Sequence, residues 1–187
     1  MTPIEYLKSR KKKRPVYTTF LRGLIRRNVR GLDGLAIALN KEAFKKIDCL
    51  ECANCCSVMS PTYKKSDVKR IAKHLGISFQ QYYDKYLYKD ETGDYMNTKT
   101  PCQFLKKDKK CSIYPVRPVD CRGFPHTQNK DFKQYISGTH KQNISYCPAT
   151  LHVVERLHQI IIEKGNRNLS AALAKSIKPD GVGYSAK

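Results

Sequence analysis

Four cysteines stand within eight residues in the segment 48-DCLECANCCSVMS-60: Cys49, Cys52, Cys55 and Cys56. No other feature of the chain limits its fold as strongly. Clustered thiols serve a disulfide scaffold, a metal site or a catalytic nucleophile. The C-x2-C spacing favours the metal, because two intervening residues form a tight turn that points both sulfurs, and often backbone amides, at one ion. Four more cysteines follow, Cys102, Cys111, Cys121 and Cys147. Eight is twice the four ligands taken by a tetrahedral zinc site or a cubane iron–sulfur cluster.

Composition separates the three uses. The N-terminal MTPIEYLKSRKKKRP has no apolar run after its charges, so it does not read as a secretory leader. No window approaches the ~20 apolar residues of a membrane span. A cytoplasmic protein without a membrane partner is the expectation, and thiols there are kept reduced, which weighs against disulfides. A catalytic thiol needs a partner base and has no use for seven companions. P-loop, G-x-G-x-x-G, H-E-x-x-H and nucleophile-elbow motifs are absent from the sequence. The chain has 187 residues, of which 40% are hydrophobic, so its core is modest and a metal staple suits it. The formal net charge of +20 favours an anionic partner, RNA or an acidic protein, or serves solubility alone.

The spacing of apolar residues predicts a mainly α fold: a small helical domain with a short β-hairpin at 103–113, organised around one or two cysteine-liganded metal centres. Residues 1–15 read as a basic arm, 16–165 as a single cysteine-cluster domain and 166–187 as a peripheral tail. Val16, Phe20, Leu21, Leu24 and Ile25 form one helical face, and Leu32, Leu35, Ala36 and Leu39 another, with Gly31 and Gly34 breaking the stretch. Ser66 and Gly76 bound a helix, and Ser78 with Gln81 opens the next, which buries Phe79, Tyr83, Tyr86 and Leu87. Residues 88–100 read as a polar turn region and 126–146 as a loose connection. A last amphipathic helix covers 149–165 up to Gly165, and a weak one 169–177.

Cys49, Cys52 and Cys55 have the spacing of the first three ligands of a bacterial ferredoxin run, but the adjacent Cys56 departs from it. Neighbours in an extended loop point apart, so Cys55 and Cys56 are expected to serve different ions, or one cluster met by a sharply turned loop. One partition puts Cys49, Cys52, Cys55 and Cys147 at one centre and Cys56, Cys102, Cys111 and Cys121 at another. A single cluster with some structural cysteines is the alternative. Arg117 and Arg122 flank Cys121, either to favour thiolates or to bond loop carbonyls. The five histidines, His126 included, read as non-ligands, and Asp48 and Asp120 as loop caps.

The order C-x2-C-x2-CC (49–56), P-C-x-F-L (101–105), C-x-I-Y-P-x-R-P-x-x-C-R-x-F-P (111–125) and a late cysteine at 147 resembles the YkgJ-like cysteine-cluster family. Its members are described as zinc- or iron-chelating domains. The resemblance implies that all eight cysteines are ligands, of an iron–sulfur cluster (4Fe-4S favoured) or of zinc, with a structural or redox role. The family includes longer flagellin lysine N-methylases, which implies a protein-modifying enzyme as the alternative, although no cofactor-binding glycine loop is visible here. The family often has glycine between the second and third cysteines. Here Ala53-Asn54 stands there, and Asn54 is expected to take the left-handed turn.

Overall fold

Apolar residues at helical spacing build the first third of the chain. In the computed structural model, which describes residues 1–27 and 29–163, they form α1 (Pro3–Ser9), α2 (Arg14–Arg26) and α3 (Leu32–Lys46). Gly31 separates the last two in a left-handed conformation, φ 77°, at little cost to a residue without Cβ. Gly34 lies inside α3 and breaks nothing. Phe20, Leu21 and Leu24 are buried as expected, whereas Val16 and Ile25 at the edges of that face are exposed. The segment 1–15 is no loose arm. Thr2 and Glu5 form a capping box that starts α1, Leu7 is buried, and Tyr6 and Arg10 both reach Glu155 on α10 (Pro148–His158). A seven-residue helix with one buried residue leaves too little periodicity to read.

α10 is the strut of the first core. Its Leu151, Val153, Val154 and Leu157 pack with Leu21 and Leu24 of α2 and with Leu35 and Leu39 of α3. Each such side chain contributes ~1.5–3 kcal/mol when buried. Phe132, Ile136 and Ile144 complete this core. They come from the stretch expected to be a loose connection, which is a run of short turns: a 3-10 turn at Phe132–Tyr135, a π turn at Ile136–His140 and α9 (Lys141–Asn143). α10 continues as a π turn, Gln159–Glu163. Gly165 and the weak helix at 169–177 lie outside the described residues.

A second core forms from α6 (Lys65–Leu75), α7 (Phe79–Tyr86) and an antiparallel hairpin, β1 (Leu87–Lys89) and β2 (Tyr95–Asn97), in which Leu87 faces Asn97. The Ser78–Gln81 capping box and the left-handed Gly76 are as expected. Ser66 lies inside α6, which starts where the Asp67 carboxylate accepts from Lys64 N. Tyr82 is fully buried and stacks on Phe104, while Phe79, Tyr83 and Tyr86 pack around the rim half-buried.

The regular hairpin is thus at 87–97, starting at Leu87, read as the end of the preceding helix, and otherwise inside the region 88–100 read as a polar turn. Asp90 closes it, its carboxylate accepting from the backbone N–H groups of Thr92 and Asp94. The expected hairpin at 103–113 has one bridge, Leu105 with Cys111, closed by Ser112 N to Phe104 O at 2.8 Å. Cys102 and Cys111 at its ends turn toward a cavity instead of extending a ladder. Among the described residues, no helix is long and apolar enough to cross a membrane.

Candidate metal centre

Segment 48–60 folds as two short helical turns. Asp48 caps α4 (Cys49–Cys52), accepting from Leu50 N at 2.7 Å. Ala53 then reverses the chain at φ 47° and ψ 16°, and α5 (Asn54–Val58) follows. The left-handed residue is therefore Ala53 and not Asn54. Asn54 is helical, and its Nδ2 donates to Tyr146 O at 2.7 Å, tying the cluster to the loop before Cys147. Because α5 is helical rather than extended, Cys55 and Cys56 do not point to opposite sides. Their sulfurs are 3.9 Å apart. At that distance the two thiols share a hydrogen bond, with either sulfur able to donate.

The remaining cysteines arrive from three other elements. Cys102 N donates to Cys56 O at 2.8 Å. Cys111 sits in the bridge with Leu105, and Cys121 on α8 (Val119–Gly123). Cys147 caps α10, its sulfur accepting from Thr150 N at 3.5 Å. All eight are free thiols.

Two cavities divide them. The smaller, about 20 Å³, is lined by Cys49, Cys52, Cys55 and Cys147. The larger, about 410 Å³, is lined by Cys49, Cys55, Cys56, Cys102, Cys111 and Cys121. Cys49 and Cys55 face both. The cysteines lie along the seam of the two cores, since Cys147 belongs to the first and Cys102 and Cys111 pack against the second. Among the described residues, no group of three or more Cys, His, Asp or Glu side chains is placed so that it could hold a metal ion.

Seven of the eight thiols are hard to ionise by themselves, and Cys56 is the exception. Burial, with the nearby charges of Cys147, Cys52 and Asp48, pushes Cys49 up to about 12. Burial raises Cys121 as well, with Cys56 and Asp120 adding to it. In the Cys55–Cys56 pair, the shared hydrogen bond holds the proton on Cys55 and favours thiolate on Cys56. Burial also raises Cys52, Cys102, Cys111 and Cys147, and each is partly offset by a backbone amide two or three residues on, from Asn54, Phe104, Ile113 and Thr150 respectively. Amides aimed at sulfur prepare thiolates, and a cation supplies the charge that burial withholds. The donor set of soft thiols fits zinc or an iron–sulfur centre.

A family model described as "CxxCxxCC: Putative zinc- or iron-chelating domain" matches residues 48–146, just over half of the 187-residue chain. The chain belongs to the CxxCxxCC family. An uncharacterized protein of Methanocaldococcus jannaschii is 38% identical over 82 residues, covering 42% of this chain and 44% of that protein. The chain therefore spans less than half the length of that curated relative. No solved structure matches it.

Side chains outside the cysteine pattern hold the CxxCxxCC segment in place. Asp67 of α6 is fully buried and accepts from Arg70 Nη2 at 2.6 Å and from Val119 N at 3.2 Å. Arg70 also donates to the carbonyls of Val116 and Arg117, gripping the loop between Cys111 and Cys121. Asp120 accepts from Thr62 N at 3.1 Å and lies 2.9 Å from His126 Nε2. Arg117 lines the larger cavity, stacks on Tyr114 at 3.7 Å and donates to its carbonyl, and its charge favours the Cys111 thiolate. Arg122 is exposed, lines neither cavity and donates to Arg117 O. Asp67 and Arg70 escape a sequence reading because they look like any polar pair on an amphipathic helix. The Asp120–His126 pair was legible only as two polar residues near Cys121.

Proposed function

We propose that this chain is a metal-chelating protein with two cysteine-liganded centres. The first is held by Cys49, Cys52, Cys55 and Cys147, the second by Cys56, Cys102, Cys111 and Cys121. The observation that carries the reading is the division of the thiols between two cavities. Four line the smaller cavity, and the larger one adds four that the smaller lacks. A cavity of about 20 Å³ has room for about one water-sized sphere, which suits a single zinc or iron ion. The larger cavity suits a bulkier iron–sulfur cluster, 4Fe-4S in the simplest case. The first centre is structural, because it joins α4 and α5 to the start of α10. The second supplies redox chemistry. A reducing cytoplasm keeps such thiols available. The exposed lysines Lys106, Lys107, Lys109 and Lys110, on the turn between Cys102 and Cys111, are where an acidic redox partner would meet this centre.

The test is anaerobic purification, then metal analysis and a visible spectrum on one sample, repeated for Cys52→Ser and Cys102→Ser. Iron with a thiolate–iron absorption band in the wild type is expected. Cys102→Ser should lose that band and keep the single ion. Cys52→Ser should lose the ion and keep the band. Less than one metal per chain, or one variant emptying both centres, defeats the reading.

A further inference from the structure

Between Glu5 and Asp33 the chain carries ten lysines and arginines and no carboxylate. Two of the ten are used inside the fold: Arg10 pairs with Glu155 at 2.9 Å, and Arg14 donates to Leu7 O at 3.1 Å. Lys11, Lys12 and Lys13 are exposed on the 3-10 turn that leads into α2, and Arg22, Arg26 and Arg27 are exposed at its other end. Among the described residues, no carboxylate lies within 4.0 Å of any of these six side chains.

The helical period sets the outward side of α2. Tyr17, Phe20, Leu21 and Leu24 are buried in the first core, so Pro15, Thr19, Arg22 and Arg26, spaced four, three and four apart, face solvent in one row. The stability of the chain does not call for this row. Arg22 and Arg26 are like charges one turn apart, which disfavours a helix. Gly23 stands beside them in mid-helix, where alanine is the better residue. A Cβ there would meet no atom within 4 Å, so nothing in the chain itself requires glycine. Its effect is to leave the helix surface open to close approach from outside.

We propose that the outward face of α2, with the Lys11–Lys13 turn, binds the phosphate backbone of a nucleic-acid duplex. The 13 residues of α2 rise ~1.5 Å each, which sets the lysine and arginine clusters about 20 Å apart. That is the length of about six base pairs at ~3.4 Å. The guanidinium forks of Arg22 and Arg26 match phosphate oxygens, and Thr19 and Gly23 let the backbone approach between the clusters. Tight single-strand binding uses exposed aromatic rings as stacking platforms. Here Tyr17 and Phe20 are buried, and the Tyr6 hydroxyl donates to Glu155. A helix that lies on a membrane turns its apolar face to lipid, whereas α2 buries that face in the first core. None of these residues lines either cysteine cavity, so the proposal stands apart from the metal-centre reading.

The experiment titrates the full chain, purified anaerobically, into a fluorescent 20-base-pair DNA duplex of arbitrary sequence. A micromolar dissociation constant is expected at about 50 mM salt, and six cations on six phosphates give a log–log salt slope of about −5. A single strand of the same length should bind at least fivefold more weakly. Arg22→Gln with Arg26→Gln should weaken the duplex at least tenfold at about 150 mM salt and flatten the slope by about 2. Lys69→Gln with Lys73→Gln removes the same charge from the exposed side of α6 and should cost less than threefold. Gly23→Gln changes no charge and improves the helix, yet should weaken the duplex several-fold by blocking close approach. Circular dichroism checks that each variant is folded. The proposal is overturned by a chain that does not bind the duplex at about 50 mM salt, or by α6 variants that weaken it as much as the α2 variants. Binding that Gly23→Gln leaves unchanged, equal affinity for the single strand, or tighter binding to phosphatidylserine vesicles than to the duplex also overturns it.

Discussion

Replacing Arg70 by methionine tests how α6 holds the cysteine loop. Methionine keeps most of the apolar stem and removes the guanidinium. Three contacts go: Arg70 Nη2 to Asp67 at 2.6 Å, Nη2 to Arg117 O at 2.9 Å, and Nε to Val116 O at 3.3 Å. Breaking a buried ion pair costs ~3–5 kcal/mol, and breaking an exposed one ~0–1. Here the Asp67 side chain is 0% exposed and that of Arg70 31%, so the pair lies between the two cases. Asp67 also keeps its bonds from Lys64 N and Val119 N. The expected loss is ~2–3 kcal/mol. The effect should be directional, because the freed loop, Val116–Val119, carries Cys121 and leaves Cys147 alone. Urea unfolding of the metal-loaded protein measures the first quantity. Competition with a chromogenic chelator measures the second, and the centre proposed at Cys56, Cys102, Cys111 and Cys121 should release metal first. Arg156→Met is the control: its 3.4 Å contact with Glu42 joins two side chains each about a third exposed, and it should cost under ~1 kcal/mol. An Arg70→Met protein as stable as the control, or one that loses metal equally from both centres, refutes the reasoning.

Three further outcomes are expected. Ala53→Gly should stabilise the protein by about 1 kcal/mol in the same unfolding assay, because alanine is strained at φ 47° and glycine is not; an unchanged or lower midpoint would count against that strain. Burial raises the Glu155 carboxyl, but hydrogen bonds from Tyr6 and Tyr17 and the charge of Arg10 outweigh it, so its folded value lies below the ordinary glutamate range. The stability from this network is therefore complete above that range and is lost as pH falls through the lower folded value. Urea midpoints should drop on acidification in the wild type and drop less in Glu155→Gln. Removing metal with a chelator should separate the two cores, lowering the thermal midpoint by at least ~10 °C while the α2–α3–α10 core keeps much of its helical circular dichroism; an unmoved midpoint would mean that the thiols carry no structural metal.

Local chemistry was legible wherever a few consecutive residues carried it. Ser78 with Gln81, Gly31 before α3, Gly76 after α6 and the long faces of α2, α3 and α10 act within one or two helical turns, so spacing alone reveals them. The C-x2-C pattern is equally local, and it marks the chemistry of the site before any fold is known. Short elements left no such trace. α1 and the turns at 132–143 are too brief for a period, although Leu7, Phe132 and Ile136 are core residues. Ala53 took the left-handed turn against its own preference because α4 and α5 leave it no other path. The sequence by itself determined the available thiols, eight cysteines on a basic and mainly helical chain. Only the tertiary structure decided which thiols share a cavity and that Asp67 and Arg70 hold the loop before Cys121. Those residues are separated by tens of positions in the chain. Their meeting depends on how two independent apolar cores pack side by side, which no local pattern of residues encodes.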